Sequence, residues 1–159
     1  MKGVLVKPVL RLSYFWFPVF VWLALLAYLS SLPHIFITDI PYLVPVVNKL
    51  FGIDLNAFSH ETVRQANFYF RKGLHVLVYL GFGFLIFRAL IHTVKRQPFF
   101  LTLLILTTVA VGDEYRQSFH PARTANTADV FLDVIGGVIG VIIYFTLFRT
   151  VRYIIEPNK

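Results

Sequence analysis

The residues whose types could do chemistry lie mostly in one stretch, from Gly112 to Gly140, between two strongly apolar segments. Four of the eight acidic residues of the chain meet two arginines there. Ionisable groups at membrane depth are costly, so they are interpreted first as functional groups. With a lysine and a histidine that precede it, this stretch supplies the candidate site residues: Lys72, His75, Asp113, Glu114, Gln117, Arg123, Asp129 and Asp133.

Carboxylates grouped with a histidine can perform acid–base chemistry or hold a polar ligand. His75 and the four acids could also bind a divalent cation, although no metal-ligand motif of fixed spacing is present. A serine nucleophile is a weaker hypothesis, because Ser59 and Ser118 lack the Gly-x-Ser-x-Gly setting of an activated serine. We expect no cofactor. The remaining histidines are interpreted as loop or interfacial residues: His34, His60, His92 and His120.

The structural alternative is that these groups satisfy each other and lock the helices together. In that case Lys72 or Arg123 neutralises Asp113 or Asp129. A buried ion pair often gains nothing over apolar packing, so structure alone is a weak reason for such a cluster.

Composition defines the class of protein that must position these residues. The chain has 159 residues, of which 57% are hydrophobic and only 14% are charged, whereas soluble domains average about 25% charged residues. The length indicates a single membrane domain over residues 1–159. The net charge of +7 lies mainly at the ends of apolar segments, which excludes a nucleic-acid-binding surface. The absence of cysteine excludes disulfides and thiolate chemistry.

Four membrane spans are predicted, so the fold class is an all-α four-transmembrane-helix bundle in a lipid bilayer. The first could be a signal peptide, but its length favours an anchor, because a bilayer needs about 20 apolar residues. The third is apolar only from Phe99 to Val111, so a full crossing must include Asp113 and Gln117; a re-entrant segment is the alternative. The predicted spans are 12–32, 74–91, 99–117 and 130–148.

The long connection from Pro33 to Lys72 is predicted to contain a short helix in the membrane interface. The apolar positions from Phe58 to Phe70 follow neither a helical nor a strand period cleanly. Pro33 should end the first helix, and Pro18 should be tolerated near its start.

The distribution of lysine and arginine predicts the orientation. These residues concentrate before the first span, in the turn from Arg88 to Arg96 and after the fourth span, so the two termini and that turn should be cytoplasmic. The starts of spans two and four and the end of span three then lie together near the outer face. The candidate residues should therefore converge in one layer.

Helical spacing places several of these side chains on common faces. Lys72, His75 and Tyr79 follow an i, i+3, i+7 pattern on the second span. Asp113 with Gln117, and Asp129 with Asp133, are i, i+4 pairs. Glycines at 81, 83, 136 and 140 permit close helix approach, which should draw the carboxylates of the last span towards Lys72 and His75.

At these positions the chain resembles the VanZ-like family of small bacterial membrane proteins. The resemblance runs from about Leu10 to Phe148 and includes Ser30-Ser31-Leu32-Pro33 at the end of the first span. The family usually has asparagine where this chain has Asp133. The residues that carry the resemblance are Lys72, His75, Tyr79, Asp113, Glu114, Gln117, Phe119, Pro121, Arg123, Asp129, Gly136 and Gly140.

The resemblance implies a multi-pass protein of the bacterial cytoplasmic membrane. Its family name comes from low-level resistance to teicoplanin, a lipoglycopeptide that acts at the outer leaflet. One hypothesis is therefore a resistance factor that binds a lipid-linked or lipopeptide ligand there. The other is an intramembrane enzyme, a hydrolase or transferase acting on a lipid headgroup, with a carboxylate as base and Lys72 or Arg123 holding an anionic substrate.

Overall fold

A computed structural model of the protein describes residues 3–31, 43–52, 57–119 and 126–155. Within these ranges the chain is helical and contains no strand. Four of its helices are long and apolar enough to cross a membrane, which confirms the predicted four-helix membrane architecture. The helices are α1 (Gly3–Ser31), α2 (Leu43–Phe51), α3 (His60–Thr93), α4 (Pro98–Gln117) and α5 (Thr127–Ile155).

The first helix is longer at its start than its uncharged run predicts. It begins at Gly3 and ends at Ser31, just before the predicted stop at Pro33, a residue outside the described ranges. Pro18 therefore lies in the helix interior and not near its beginning, so that part of the prediction was wrong. Membrane helices accommodate an interior proline because neighbouring groups satisfy the freed backbone carbonyl.

The predicted interfacial helix over residues 58–70 is not a separate element. Residues 60–70 form the first turns of α3, which continues without interruption to Thr93. Ser59 caps the helix by accepting a hydrogen bond from the N–H of Thr62 at 3.3 Å. The 34 residues of α3 span about 51 Å, which exceeds a hydrocarbon core of about 30 Å, so α3 must extend beyond the membrane. The apolar positions among residues 60–70 follow no clean helical period, because Asn67 is the one buried residue there and no apolar face is packed against the described part of the bundle.

The connection between α1 and α3 contains a helix elsewhere, at α2. Gly52 ends α2 with a φ of 68°, and its N–H donates to the carbonyl of Asn48 at 2.8 Å. Glycine adopts this left-handed conformation without the steric cost that a Cβ would add.

Helix α4 matches its predicted span of 99–117 to within one residue, whereas α5 begins three residues before its predicted span of 130–148 and ends seven residues after it. Pro98 is the first residue of α4, after Gln97 in a left-handed conformation with φ of 51°. The helix continues through Asp113 to Gln117, as the length of a full crossing required. Asn126 caps α5, since its Oδ1 accepts a hydrogen bond from the N–H of Ala128 at 3.0 Å.

Helix α3 is the centre of the bundle and packs against α1, α4 and α5. Its closest neighbour is α5, and the predicted glycines explain why. A Cβ at Gly140 would collide with the carbonyl of Leu80, and one at Gly83 would collide with the backbone of Gly137. Large apolar side chains remain exposed on the outer faces of the bundle, as expected for helices in lipid.

Successive spans run in opposite directions, so α1 and α4 end beside the beginning of α5 and the first half of α3. We call this the polar end; Ser30, Lys72, Gln117 and Asp129 lie there. At the opposite end His92 stacks on Phe15 and contacts the hydroxyl of Tyr144 at 3.0 Å. His92, which the sequence analysis interpreted as a loop or interfacial residue, thus lies in the last turn of α3 at the end of a span.

Candidate functional site

An ion pair joins α3 to α5 at the polar end. The ammonium of Lys72 donates to a carboxylate oxygen of Asp129. Both side chains are largely buried, with exposed fractions of 17% and 11%. The sequence predicted that Lys72 or Arg123 pairs with Asp113 or Asp129, and this contact confirms one of the four combinations.

A second contact between the same helices lies one turn deeper. Nδ1 of His75 is 3.2 Å from Oδ1 of Asp133, and Asp133 is only 2% exposed. The close approach that the α5 glycines permit does bring both acids of this helix to the two predicted partners on α3. When Nδ1 of a histidine is held by a carboxylate, Nε2 is left for another partner.

Asp113 on α4 is neutralised by a residue that the sequence analysis did not select. Arg116 donates to its Oδ1 at 3.0 Å, and Gln117 donates to its Oδ2 at 2.8 Å. Arg116 also donates to the Ser31 hydroxyl at 2.7 Å, and Gln117 donates to that of Ser30 at 2.9 Å. Asp113 therefore organises a network that ties the end of α4 to the end of α1. The i, i+3 spacing of Asp113 and Arg116 was the feature of the sequence that could have indicated this ion pair.

Glu114 faces the other neighbour of α4. Its carboxylate accepts a hydrogen bond from the backbone N–H of Asn126, the residue that caps α5. Glu114 is buried with an exposed fraction of 8%. It therefore links the end of α4 to the start of α5.

The remaining candidate, Arg123, lies outside the described residues. Within the described part of the chain, no group of three or more histidine and acidic side chains converges closely enough to hold a metal ion. The acids are instead divided among separate partners, so the geometry gives the divalent-cation hypothesis no support.

A cavity of about 100 Å³ lies between α1, α3 and α4 beside this network. Several of its lining residues are only half-buried, so it opens to the surface of the bundle. Its apolar lining residues are Leu26, Leu29, Leu74 and Val78. Its polar lining residues are Ser30, Arg71, His75, Tyr79 and Asp113.

Tyr79 lines this cavity and carries a hydroxyl that is both buried and unpartnered among the described residues. Tyr79 is 1% exposed, and among the described residues its Oη is a buried side-chain atom with no hydrogen-bond partner. A buried polar group without a partner costs free energy, so a ligand or water that reached this hydroxyl from the cavity would be stabilised by it. The sequence placed Tyr79 on the face of Lys72 and His75 but gave no sign that its hydroxyl would be unpaired.

Arg71 is the cavity residue that sequence reasoning missed. Its spacing was informative, because Arg71, His75 and Tyr79 follow at i, i+4 and i+8 on one face of α3. Lys72 attracted attention instead, and it points to Asp129.

The sequence that forms these spans and the polar end is similar to that of a known protein family. A model of the VanZ/LLP1 family matches residues 15–149. The chain belongs to this family. The match to VanZ/LLP1 begins within the first span, includes the other three spans and every candidate residue, and confirms the resemblance that the sequence suggested. The comparisons with curated proteins and with solved structures give no match.

Proposed function

We propose that this VanZ/LLP1-family protein binds the polar headgroup of an amphiphilic ligand at its polar end, which faces the outer leaflet of the bacterial cytoplasmic membrane. The ligand is a lipid or a lipid-linked or lipopeptide molecule. The observation that carries this proposal is the cavity beside Asp113, where an unpartnered hydroxyl of Tyr79 adjoins polar and aliphatic side chains. Such a mixed lining suits a polar group attached to an apolar chain.

The volume of the cavity limits what can enter. At about 100 Å³ it is well below the roughly 300–1,000 Å³ of pockets that enclose a drug-sized ligand. Only a small polar group fits inside, so the rest of the ligand must lie along α1 and α3. A lipid headgroup therefore suits the site better than a whole lipoglycopeptide, which could engage it only through a small substituent.

The proposal is tested by filling the cavity. Leu29→Trp should block it, while Leu25→Trp, a matched change one turn earlier on α1 at a residue outside the lining, should not. Purified variants would be titrated with diacylglycerol, phosphatidic acid and teicoplanin and analysed by native mass spectrometry. We expect Leu29→Trp alone to lose bound ligand.

Tyr79→Phe provides a second arm. It removes a buried hydroxyl that has no partner among the described residues, so the free energy of unfolding should not fall and should rise by up to about 3 kcal/mol. Ligand affinity should fall about fivefold or more, the value of one hydrogen bond of about 1 kcal/mol. Equal binding of every ligand by wild type, Leu29→Trp and Tyr79→Phe would refute the proposal.

A second candidate function is an intramembrane hydrolase or transferase that acts on a lipid headgroup. It is favoured by His75, which lines the cavity and is held at Nδ1 by the buried Asp133. A carboxylate that orients an imidazole is a recurrent arrangement for a general base. The sequence hypothesis had a carboxylate as the base and Lys72 or Arg123 as the group that holds an anionic substrate. In this version the base is His75, and Lys72 is already paired with Asp129.

A further inference from the structure

The cations near the polar end differ in how they are neutralised. Lys72 is bound to Asp129, Arg116 to Asp113, and Arg64 to Glu61. Arg71 is half-buried and lines the cavity, yet within the described residues it has no hydrogen bond or acidic partner. It is thus a positive charge that faces a cavity without a counter-charge from this part of the protein.

The one acid in the cavity lining does not cancel this charge. Both oxygens of Asp113 already accept hydrogen bonds, from Arg116 and from Gln117. The charge of Asp113 is therefore balanced by Arg116, and the buried Asp133 contacts His75. The surplus charge at the cavity is that of Arg71, which makes the cavity attractive to an anion.

The positions along α3 also give the site a direction. Arg71 and Tyr79 lie eight residues apart on one helix face, or about 12 Å along the axis. Arg71 is nearer the end of the bundle, and the buried Tyr79 is nearer its middle. Leu74 and Val78 occupy the same length of α3, and Leu26 and Leu29 face them from α1.

We infer that the ligand of this cavity is a phosphate-bearing lipid whose phosphate is bound by Arg71. This inference rests on the proposed function and specifies its ligand class. A guanidinium donates two parallel hydrogen bonds to phosphate oxygens, a geometry that lysine does not offer. The cavity volume of about 100 Å³ equals roughly that of three liquid water molecules, enough for a phosphate group and a few linked atoms. The Tyr79 hydroxyl then donates to an oxygen deeper in the lipid, and the acyl chains extend past the leucines.

The test compares two lipids that differ only in the phosphate. Delipidated protein in detergent would be titrated with dioleoyl phosphatidic acid or dioleoylglycerol, and the bound fraction measured by native mass spectrometry. Wild type should bind dioleoyl phosphatidic acid at least tenfold more tightly than dioleoylglycerol. Arg71→Gln should weaken phosphatidic acid binding by about ten- to a hundredfold, as expected for lost charge-assisted hydrogen bonds, and leave dioleoylglycerol binding within about twofold.

Two further variants keep the test decisive. Arg64→Gln removes an exposed arginine from the same helix, one that is paired with Glu61, and it should behave like wild type. Arg71→Lys retains the charge but not the paired donors, and should retain an intermediate affinity. The ratio of the two lipid affinities within each variant cancels any loss of folded protein.

The outcomes separate this inference from the proposed function. If wild type and Arg71→Gln bind the two lipids equally well, the phosphate assignment is overturned while headgroup binding stands. If neither lipid binds and Leu29→Trp changes nothing, both proposals fail. Inorganic phosphate is added as a competitor of bound phosphatidic acid. If inorganic phosphate displaces this lipid with an affinity equal to that of the lipid itself, the free ion is the ligand and the lipid assignment is overturned.

Discussion

His75 of α3 and Asp133 of α5 face each other across the tightest helix contact of the bundle, with Nδ1 and Oδ1 3.2 Å apart. The contact orients the imidazole beside the cavity that His75 helps to line. This arrangement separates the two candidate functions experimentally, because a general base and a binding residue respond differently to an isosteric change.

His75→Gln replaces the imidazole by an amide that can still contact Asp133 but cannot accept a proton. If the protein is an enzyme, turnover of a phospholipid headgroup should fall by about 10²–10⁴-fold, the usual contribution of a general base. Binding of the same lipid should change by less than about fivefold. Headgroup release would be followed by lipid mass spectrometry. Absence of turnover in wild type, with intact binding, would leave the binding function and exclude the catalytic one.

The pair formed by Lys72 and Asp129 should stabilise the α3–α5 contact. Lys72→Met or Asp129→Asn alone leaves one partner without its counterpart and should cost about 3–5 kcal/mol, less if water enters. The double variant Lys72→Met/Asp129→Asn should cost less than the sum of the two. A double-mutant cycle on unfolding in mixed detergent micelles gives the coupling free energy. A coupling near zero would contradict the structural role.

Gly140 should be intolerant of a side chain because the backbone of α3 lies directly against it. Gly140→Ala should destabilise the bundle by about 1–3 kcal/mol, the usual cost of overpacking. Gly112→Ala is the matched control, since a Cβ at Gly112 meets no atom within 4 Å. That control should be neutral or slightly stabilising, because alanine favours a helix by about 1 kcal/mol over glycine. Equal unfolding curves for the two variants would show that the α3–α5 approach is looser than the structure indicates.

The outer position of the polar end is a prediction from the arrangement of lysines and arginines. The chain has no native cysteine, so single cysteines can report the orientation. A cysteine at Asn126, next to the start of α5, should react with an impermeant thiol reagent in intact cells. One at Lys95, in the turn between α3 and α4, should react only after the membrane is opened. The reverse pattern would place the cavity in the inner leaflet and remove the outer-leaflet ligand from consideration.

The sequence by itself determined the membrane class, the four spans and the approximate layer of the polar residues. Each depends on local composition, because about 20 apolar residues must be continuous to cross a bilayer and because charges in lipid must meet one another. The pairing of Lys72 with an acid of the last span followed from these constraints together with the glycines at 136 and 140. The continuity of α3 could not be predicted from these constraints, since residues 60–70 are mostly exposed and show no helical periodicity of apolar residues.

The tertiary structure decided which groups pair and which remain available. Asp113 could have met Lys72 across the bundle, but Arg116 on its own helix is held near it by Ser31 of α1. Lys72 and Arg71 are adjacent in sequence, yet successive helical residues point about 100° apart, so one reaches Asp129 and the other lines the cavity. The cavity itself is a gap between three helices, and the size of such a gap depends on how side chains distant in sequence pack. No local pattern could reveal it.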